Sequence, residues 1–389
     1  MKNIFTLIIA STISLAVSAD PNYFKGTWEE TLKKAKAENK YIMLDCYTDW
    51  CYWCKVMDKN TFPDAKVSKE LNANFISAKR EMEKDPEGVV LAMKYHVNAF
   101  PTFLFFSPEG QLVYVSAGYS PAAEFLNVLE AVRKPENQQT FPGLSLDLNP
   151  GYPDFYKNSF GPGKARKYPE ENTVTAFLDN TKDLYSEVAW SVMWRFNLSE
   201  KHNNWVMDNA ARLRTLYGKE QVDDKIVGIL SGKVKSAAEN QDDNAFKATI
   251  KTLYTYLPTV AAAYEVGFTF EYYTSTAQWN QLTKFTQSVI DTGGYAKQAG
   301  LINEISWTMY ESCSDKAELT KAAGWMKNVT KAEPNYMYLD TYASLLYATD
   351  QFGEAEKVAL QAIDEGKKTK ENVAATEDLL QNIRSKMKK

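Results

Sequence analysis

Two cysteines three positions apart, Cys51 and Cys54, follow shortly after the apolar run Tyr41-Ile42-Met43-Leu44, inside the segment Trp50-Cys51-Tyr52-Trp53-Cys54-Lys55. That spacing sets two sulfurs one helical turn apart, where they can open and close as a disulfide. Zinc ribbons use the same spacing, but a zinc site needs a second pair of ligands. The remaining candidates, Cys46, Cys313, His96 and His202, are scattered singly along the chain. Redox chemistry is therefore the expected use of the pair, with no metal and no cofactor beyond the redox-active Cys51–Cys54 disulfide.

Attack on a disulfide needs a thiolate, so one cysteine must be acidified. Cys51 is expected at the N-terminus of the helix that the pair opens, exposed, where free N–H groups and the helix dipole favour negative charge. Cys54, one turn later, is expected to point inward and to resolve a mixed disulfide by attacking Cys51. Cys46 and Cys313 read as buried, inert thiols that pack as small hydrophobes.

The compartment follows from the first residues. Lys2, the apolar run 4–10 and the small residues Val17-Ser18-Ala19 read as a secretory signal peptide over residues 1–19, with the mature chain starting near Asp20 in the periplasm or outside the cell. No cysteine stands at the cleavage point to carry a lipid, and no later segment has the length of a membrane span. The formal charge is −4, or −5 once Lys2 is removed, which gives no electrostatic reason to bind nucleic acid or a membrane surface.

A chain of 389 residues exceeds one typical core, and its patterning divides it. Residues 27–40 read as a helix with Trp28, Leu32 and Ala35 on one face and Thr27 as its cap. Strand 41–48 follows, then the helix opened by the dithiol, broken at Asn60-Thr61-Phe62-Pro63 and resumed over 64–72. Strand 75–79, helix 86–95, a Phe-rich strand 102–107, the turn Ser107-Pro108-Glu109-Gly110, strand 111–117 and helix 121–134 complete an α/β domain over 20–134. Residues 135–169 hold six of the 14 prolines and read as a linker or an irregular wrap. From 170 to 389 the pattern is helical. Near 301–366, Leu339, Ala343, Leu346, Phe352, Ala355, Ala359 and Ala362 follow the spacing of tetratricopeptide-like hairpins, and Ala322 precedes Ala355 by 33 residues.

The stretch 27–134 resembles the thioredoxin family. Leu44-Asp45-Cys46-Tyr47-Thr48-Asp49-Trp50-Cys51 is similar to the family's strand with a buried Asp six residues before the first Cys and a Trp directly before it. Val97-Asn98-Ala99-Phe100-Pro101-Thr102-Phe103 is similar to its second signature, and Tyr114 to Ser120, with Gly118, to the end of its last strand. The resemblance implies an α/β thioredoxin-like domain with a central mixed sheet flanked by helices, joined here to an all-α helical-repeat domain. It implies that Asp45 assists proton transfer to and from Cys54, that Lys79 is the charge partner of Asp45, and that Pro101 is cis and faces the dithiol. Trp50, Tyr52, Trp53 and Phe100 would then support the site. Tyr52-Trp53 between the cysteines resembles the secreted W-C-x-W-C-K branch, and no His stands there as in the strongly oxidising variant. The implied function is a periplasmic or secreted thiol-disulfide oxidoreductase, a reductase or isomerase of exported proteins, working with cysteine-containing protein substrates and a redox partner protein. The alternative is a binding scaffold in which the helical repeats hold a protein partner and the dithiol is structural.

Overall fold

The computed structural model describes residues 21–388, so the signal peptide expected over 1–19 lies outside the described residues. Helix α1 (Trp28–Glu38) starts at a capping box in which Thr27 and Glu30 satisfy each other's backbone N–H groups, and it ends at Asn39 in the left-handed region. Strand β1 (Tyr41–Tyr47) leads to α2 (Tyr52–Asn60), and Asp64 caps α3 (Ala65–Asn74) directly after the break at Pro63. Strand β2 (Phe75–Glu81), α4 (Pro86–Lys94), strands β3 (Thr102–Phe106) and β4 (Leu112–Ala117), and α5 (Ala122–Val132) follow. The strands form one sheet in the order β2-β1-β3-β4, with β1 parallel to β2 and antiparallel to β3, and β3 antiparallel to β4.

Strand side chains alternate between the two faces of the sheet. Met43, Phe103 and Phe105 face one side and join Met57, Phe62, Val67, Leu71, Phe125 and Leu129 in a core of buried side chains. Phe106 faces the other side and meets Trp28 and Tyr95 edge-on at 4.8 and 5.0 Å. By the same alternation Asp45 shares the face of Met43, while Cys46 shares that of Leu44. Covered on both faces, β1 is buried from Ile42 to Cys46.

The chain divides into two compact units, 1–226 and 227–389. The first extends well past the α/β layer. The segment rich in Pro and Gly wraps against the layer instead of linking two bodies. Gln139 donates its N–H to the Val113 carbonyl on β4 at 2.8 Å, and Tyr156 donates its hydroxyl to the Met93 carbonyl at 2.7 Å. Short helices α6 (Asp154–Lys157), α7 (Glu171–Asp179), α8 (Glu187–Arg195), α9 (Glu200–Asp208) and α10 (Ala210–Tyr217) continue this unit, and the division falls inside α11 (Lys219–Glu239). Lys94 on α4 pairs with Glu187 on α8, and His96 bonds Ser191 and Gln221, each at 2.8 Å.

The second unit is helical: α12 (Asp243–Tyr256), α13 (Ala261–Ser275), α14 (Trp279–Gly293), α15 (Ala299–Ser312), α16 (Lys316–Ala332), α17 (Tyr336–Ala348), α18 (Phe352–Thr369) and α19 (Ala374–Met387). Consecutive helices from α15 onward pack on one another. Leu339, Ala343, Leu346, Ala355, Ala359 and Ala362 are buried in their shared core, where small side chains allow close helix approach, and Cys313 is buried there too. Among the described residues no helix is long and apolar enough to cross a membrane.

Candidate active site

Cys51 is the N-cap residue of α2, and its sulfur accepts the backbone N–H of Cys54 at 3.0 Å. The two cysteines are disulfide-bonded, with Cα atoms 5.4 Å apart. The Cys54 N–H stands at the start of α2, where backbone donors face the Cys51 sulfur. The expected exposure of Cys51 does not hold in this oxidised form: the residue is 3 % exposed, as buried as Cys54 at 4 %. The Cys51 sulfur turns into its own helix, and solvent meets the side chains around it.

Those side chains are aromatic. Trp50, Tyr52 and Trp53 are 64 %, 68 % and 51 % exposed, unusually high for such large apolar groups. Tyr52 packs edge-on against Trp53, Trp53 lies 5.1 Å from Tyr119, and Trp50 meets Phe100 edge-on at 5.8 Å. The Phe100–Pro101 peptide is cis, and the Pro101 carbonyl accepts the N–H of Gly118 at 2.8 Å. This bond ties the segment entering β3 to the segment leaving β4, so Phe100 and Tyr119 belong to one rim.

Behind the dithiol, the parallel register of β1 and β2 sets Asp45 directly opposite Lys79. The Lys79 ammonium lies 3.0 Å from Asp45 Oδ2 and 2.5 Å from Asp58 Oδ1 on α2, and it also sits 4.9 Å above the ring of Tyr47. Lys79 is thus shared between two carboxylates, and Asp45 Oδ2 is left without a well-aligned hydrogen bond. Burial pushes the Asp45 carboxyl up to about 6, against the pull of Lys79 and with some help from Asp58. Burial also works against the charge on Lys79, but Asp45 and Asp58 outweigh it and hold the ammonium above its ordinary range. Burial raises the Cys46 thiol well above the ordinary thiol value and raises that of Cys313 as well, so neither competes as a nucleophile.

The structure thus gathers Asp45, Lys79, Cys51 and Cys54 on β1, β2 and the start of α2, with Trp50, Tyr52, Trp53, Phe100 and Pro101 around them. Three contributors escaped the sequence reading. Asp58 follows Cys54 by one helical turn, a spacing that could have marked it. Tyr119 and Glu83, the acceptor of the Trp50 indole N–H at 3.0 Å, had no comparable signal. Among the described residues no cluster of His, Cys, Asp and Glu could hold a metal ion.

Residues 28–133 match the family model of the thioredoxin-like domain, and this part of the chain is thioredoxin-like. Over 98 residues, a quarter of the chain, the sequence is 36 % identical to the thiol:disulfide interchange protein DsbD of Yersinia pestis, and over 76 residues it is 38 % identical to DsbD of Escherichia coli strain K12. The match spans 16 % and 14 % of those proteins' own lengths. Among solved structures, a protein described as a candidate disulphide-isomerase from Bacteroides thetaiotaomicron is 36 % identical, with a TM-score of 0.28 over 30 % of this chain and 96 % of that one. A thioredoxin from Thermus thermophilus is 32 % identical, with a TM-score of 0.27 over 29 % of this chain and 87 % of the other.

Proposed function

We propose that the protein is a thiol-disulfide oxidoreductase of exported proteins, working as a reductase or isomerase. The observation that carries this reading is the bonded Cys51–Cys54 pair at a helix N-terminus, with the buried carboxyl of Asp45, near 6, on the strand that leads into it. In the reducing direction the Cys51 thiolate attacks one sulfur of a client disulfide. That S–S bond breaks, the first client thiolate leaves, and a mixed disulfide forms. Cys54 gives its proton to Asp45 and attacks the Cys51 sulfur, releasing the second client thiolate and closing Cys51–Cys54. Two electrons pass to the client, both client thiolates take up protons, and a partner protein's dithiol must return the pair to its reduced form.

The exposed aromatic rim suits a client segment that is already partly unfolded, since it offers apolar contact without selecting charge. Export is supported by the apolar N-terminal run and by Val17-Ser18-Ala19 before Asp20. The helical unit supports a role in holding a protein partner. Cys54→Ser tests the whole reading, because attack survives while resolution does not. It should accumulate disulfide-linked adducts through Cys51 in the extracytoplasmic fraction, and the wild type should reduce insulin when supplied with a dithiol. If neither adducts nor insulin reduction appear, the chain is a binding scaffold with a structural disulfide.

A further inference from the structure

Glu83 is nearly buried, and its two oxygens are divided between different parts of the first unit. Oε2 accepts the indole N–H of Trp50 at 3.0 Å, while Oε1 takes a guanidinium N–H of Arg166. Trp50 adjoins Cys51 in the chain, whereas Arg166 lies outside residues 28–133. Trp50 is 64 % exposed, so beyond its edge-on contact with Phe100 that one acceptor orients the indole.

The guanidinium is itself held from behind. Arg166 Nε donates to the Gly161 carbonyl at 2.8 Å, and Lys167 returns an N–H to Asn158 at 2.8 Å, closing the segment on itself. Gly161 has φ +95°, where a side chain is strained, and it runs alongside the Glu83 backbone: a Cβ there would lie 3.7 Å from the Glu83 carbonyl oxygen. Arg195 at the end of α8 donates to the Ser159 carbonyl and covers the ring of Phe160 at 4.3 Å. Polar contacts joined by the short backbone segment 158–161 therefore reach from α8 to the tryptophan beside the dithiol.

We propose that Arg166 is a positioning residue for this site, acting through Glu83 to hold the Trp50 indole at the rim that a client segment meets. The guanidinium fork suits the task because it binds the carboxylate and the Gly161 carbonyl together, leaving Glu83 one orientation in which Oε2 faces the indole. Without Arg166 the carboxylate loses its cation in a nearly buried place, turns toward water, and no longer fixes the indole. The activity arm of the test rests on the oxidoreductase reading; the spectroscopic arm does not.

The full mature chain labelled with fluorotryptophan reports the indole directly by fluorine NMR, with the Trp50 resonance assigned from Trp50→Phe. Arg166→Ala should shift or broaden the Trp50 resonance while leaving most of the others in place. It should raise KM for insulin about three- to tenfold and leave kcat, and the rate on a small disulfide, within about twofold. Arg166→Lys keeps the charge without the fork and should recover part of both effects. Should Arg166→Ala fail to fold, Arg166→Met retains the aliphatic stem and carries the same expectations. An unchanged Trp50 resonance in a folded variant overturns the proposal, as does an unchanged KM when the wild type is active. A wild type inactive on every disulfide overturns the oxidoreductase reading alone, and the Trp50 resonance then decides the positioning role.

Discussion

Lys79–Asp45, on the strands behind the dithiol, and Lys94–Glu187, where α8 meets α4, are both buried ion pairs of the first unit, yet they are completed very differently. Asp45 has one charged neighbour at 3.0 Å and an oxygen with no aligned hydrogen bond. Glu187 receives the Lys94 ammonium, the Ser145 N–H at 2.9 Å, the Ser145 hydroxyl at 2.8 Å and the Tyr152 hydroxyl at 3.4 Å. Lys94 donates further to the Asp147 carbonyl at 2.6 Å. A carboxylate saturated with donors is held in place, and so it serves as an anchor. A carboxylate left short of donors is ready to exchange a proton. Burial alone does not distinguish the two; the number of partners does.

The largest effect should come from breaking the saturated pair. Lys94→Met or Glu187→Gln strands the other member among groups arranged for it, and each should cost about 3–5 kcal/mol in denaturant unfolding. A loss below about 1 kcal/mol would mean that the anchor is no stronger than a surface contact.

Asp45→Asn should go the other way at neutral pH. The folded pKa lies above the unfolded one, so the folded state retains a proton between 3.8 and about 6 that the unfolded state releases. The stabilising contribution is complete below 3.8 and is lost as pH rises through about 6. At pH 7 the charged carboxylate is a burden, and its removal should stabilise the protein by up to about 3 kcal/mol, with no difference remaining near pH 3. The same variant should slow insulin reduction by roughly a hundredfold, as expected for loss of a general base. Destabilisation at pH 7 would place Asp45 with the anchors.

The smallest effect sharpens the same contrast. Asp58, with a side chain 45 % exposed, shares Lys79 with Asp45 and raises the proton affinity of Asp45. Asp58→Asn should change stability by less than about 1 kcal/mol. It should also move the acidic limb of the pH-rate profile to lower pH, because Asp45 then has Lys79 to itself. An unmoved limb would remove Asp58 from the electrostatics of the site.

The sequence showed the front of this unit more clearly than its back. Cys51 and Cys54, the β1 run before them and Phe100-Pro101 are local signals, readable within a few residues of one another. The Asp45–Lys79 pairing came only with the resemblance, and the parallel register of β1 and β2 sets the two residues opposite one another. Arg166, Glu187 and Gln221 reach the α/β layer across 83, 93 and 125 residues, the first from a stretch whose prolines and glycines suit a linker and a wrap equally well, the other two from helices beyond it. No periodicity distinguishes those two uses, because what decides between them is side chains such as Tyr156 and Lys94 meeting distant carbonyls. The burial of Cys51 in the oxidised form was not legible for another reason: a helix N-terminus indicates where charge is favoured, not which neighbours cover the sulfur.

The wrap around Lys94 and His96 bears on anyone wishing to transplant this redox module. A graft cut at the end of the matched domain, residue 133, would leave a lysine facing water where Glu187, Ser145 and Asp147 had met it, and a histidine without Ser191 or Gln221. The natural seam at 226 is no cleaner, since it falls within α11 and would sever a continuous helix. The smallest portable cassette is therefore residues 21–239, about twice as long as the domain that gives it its chemistry.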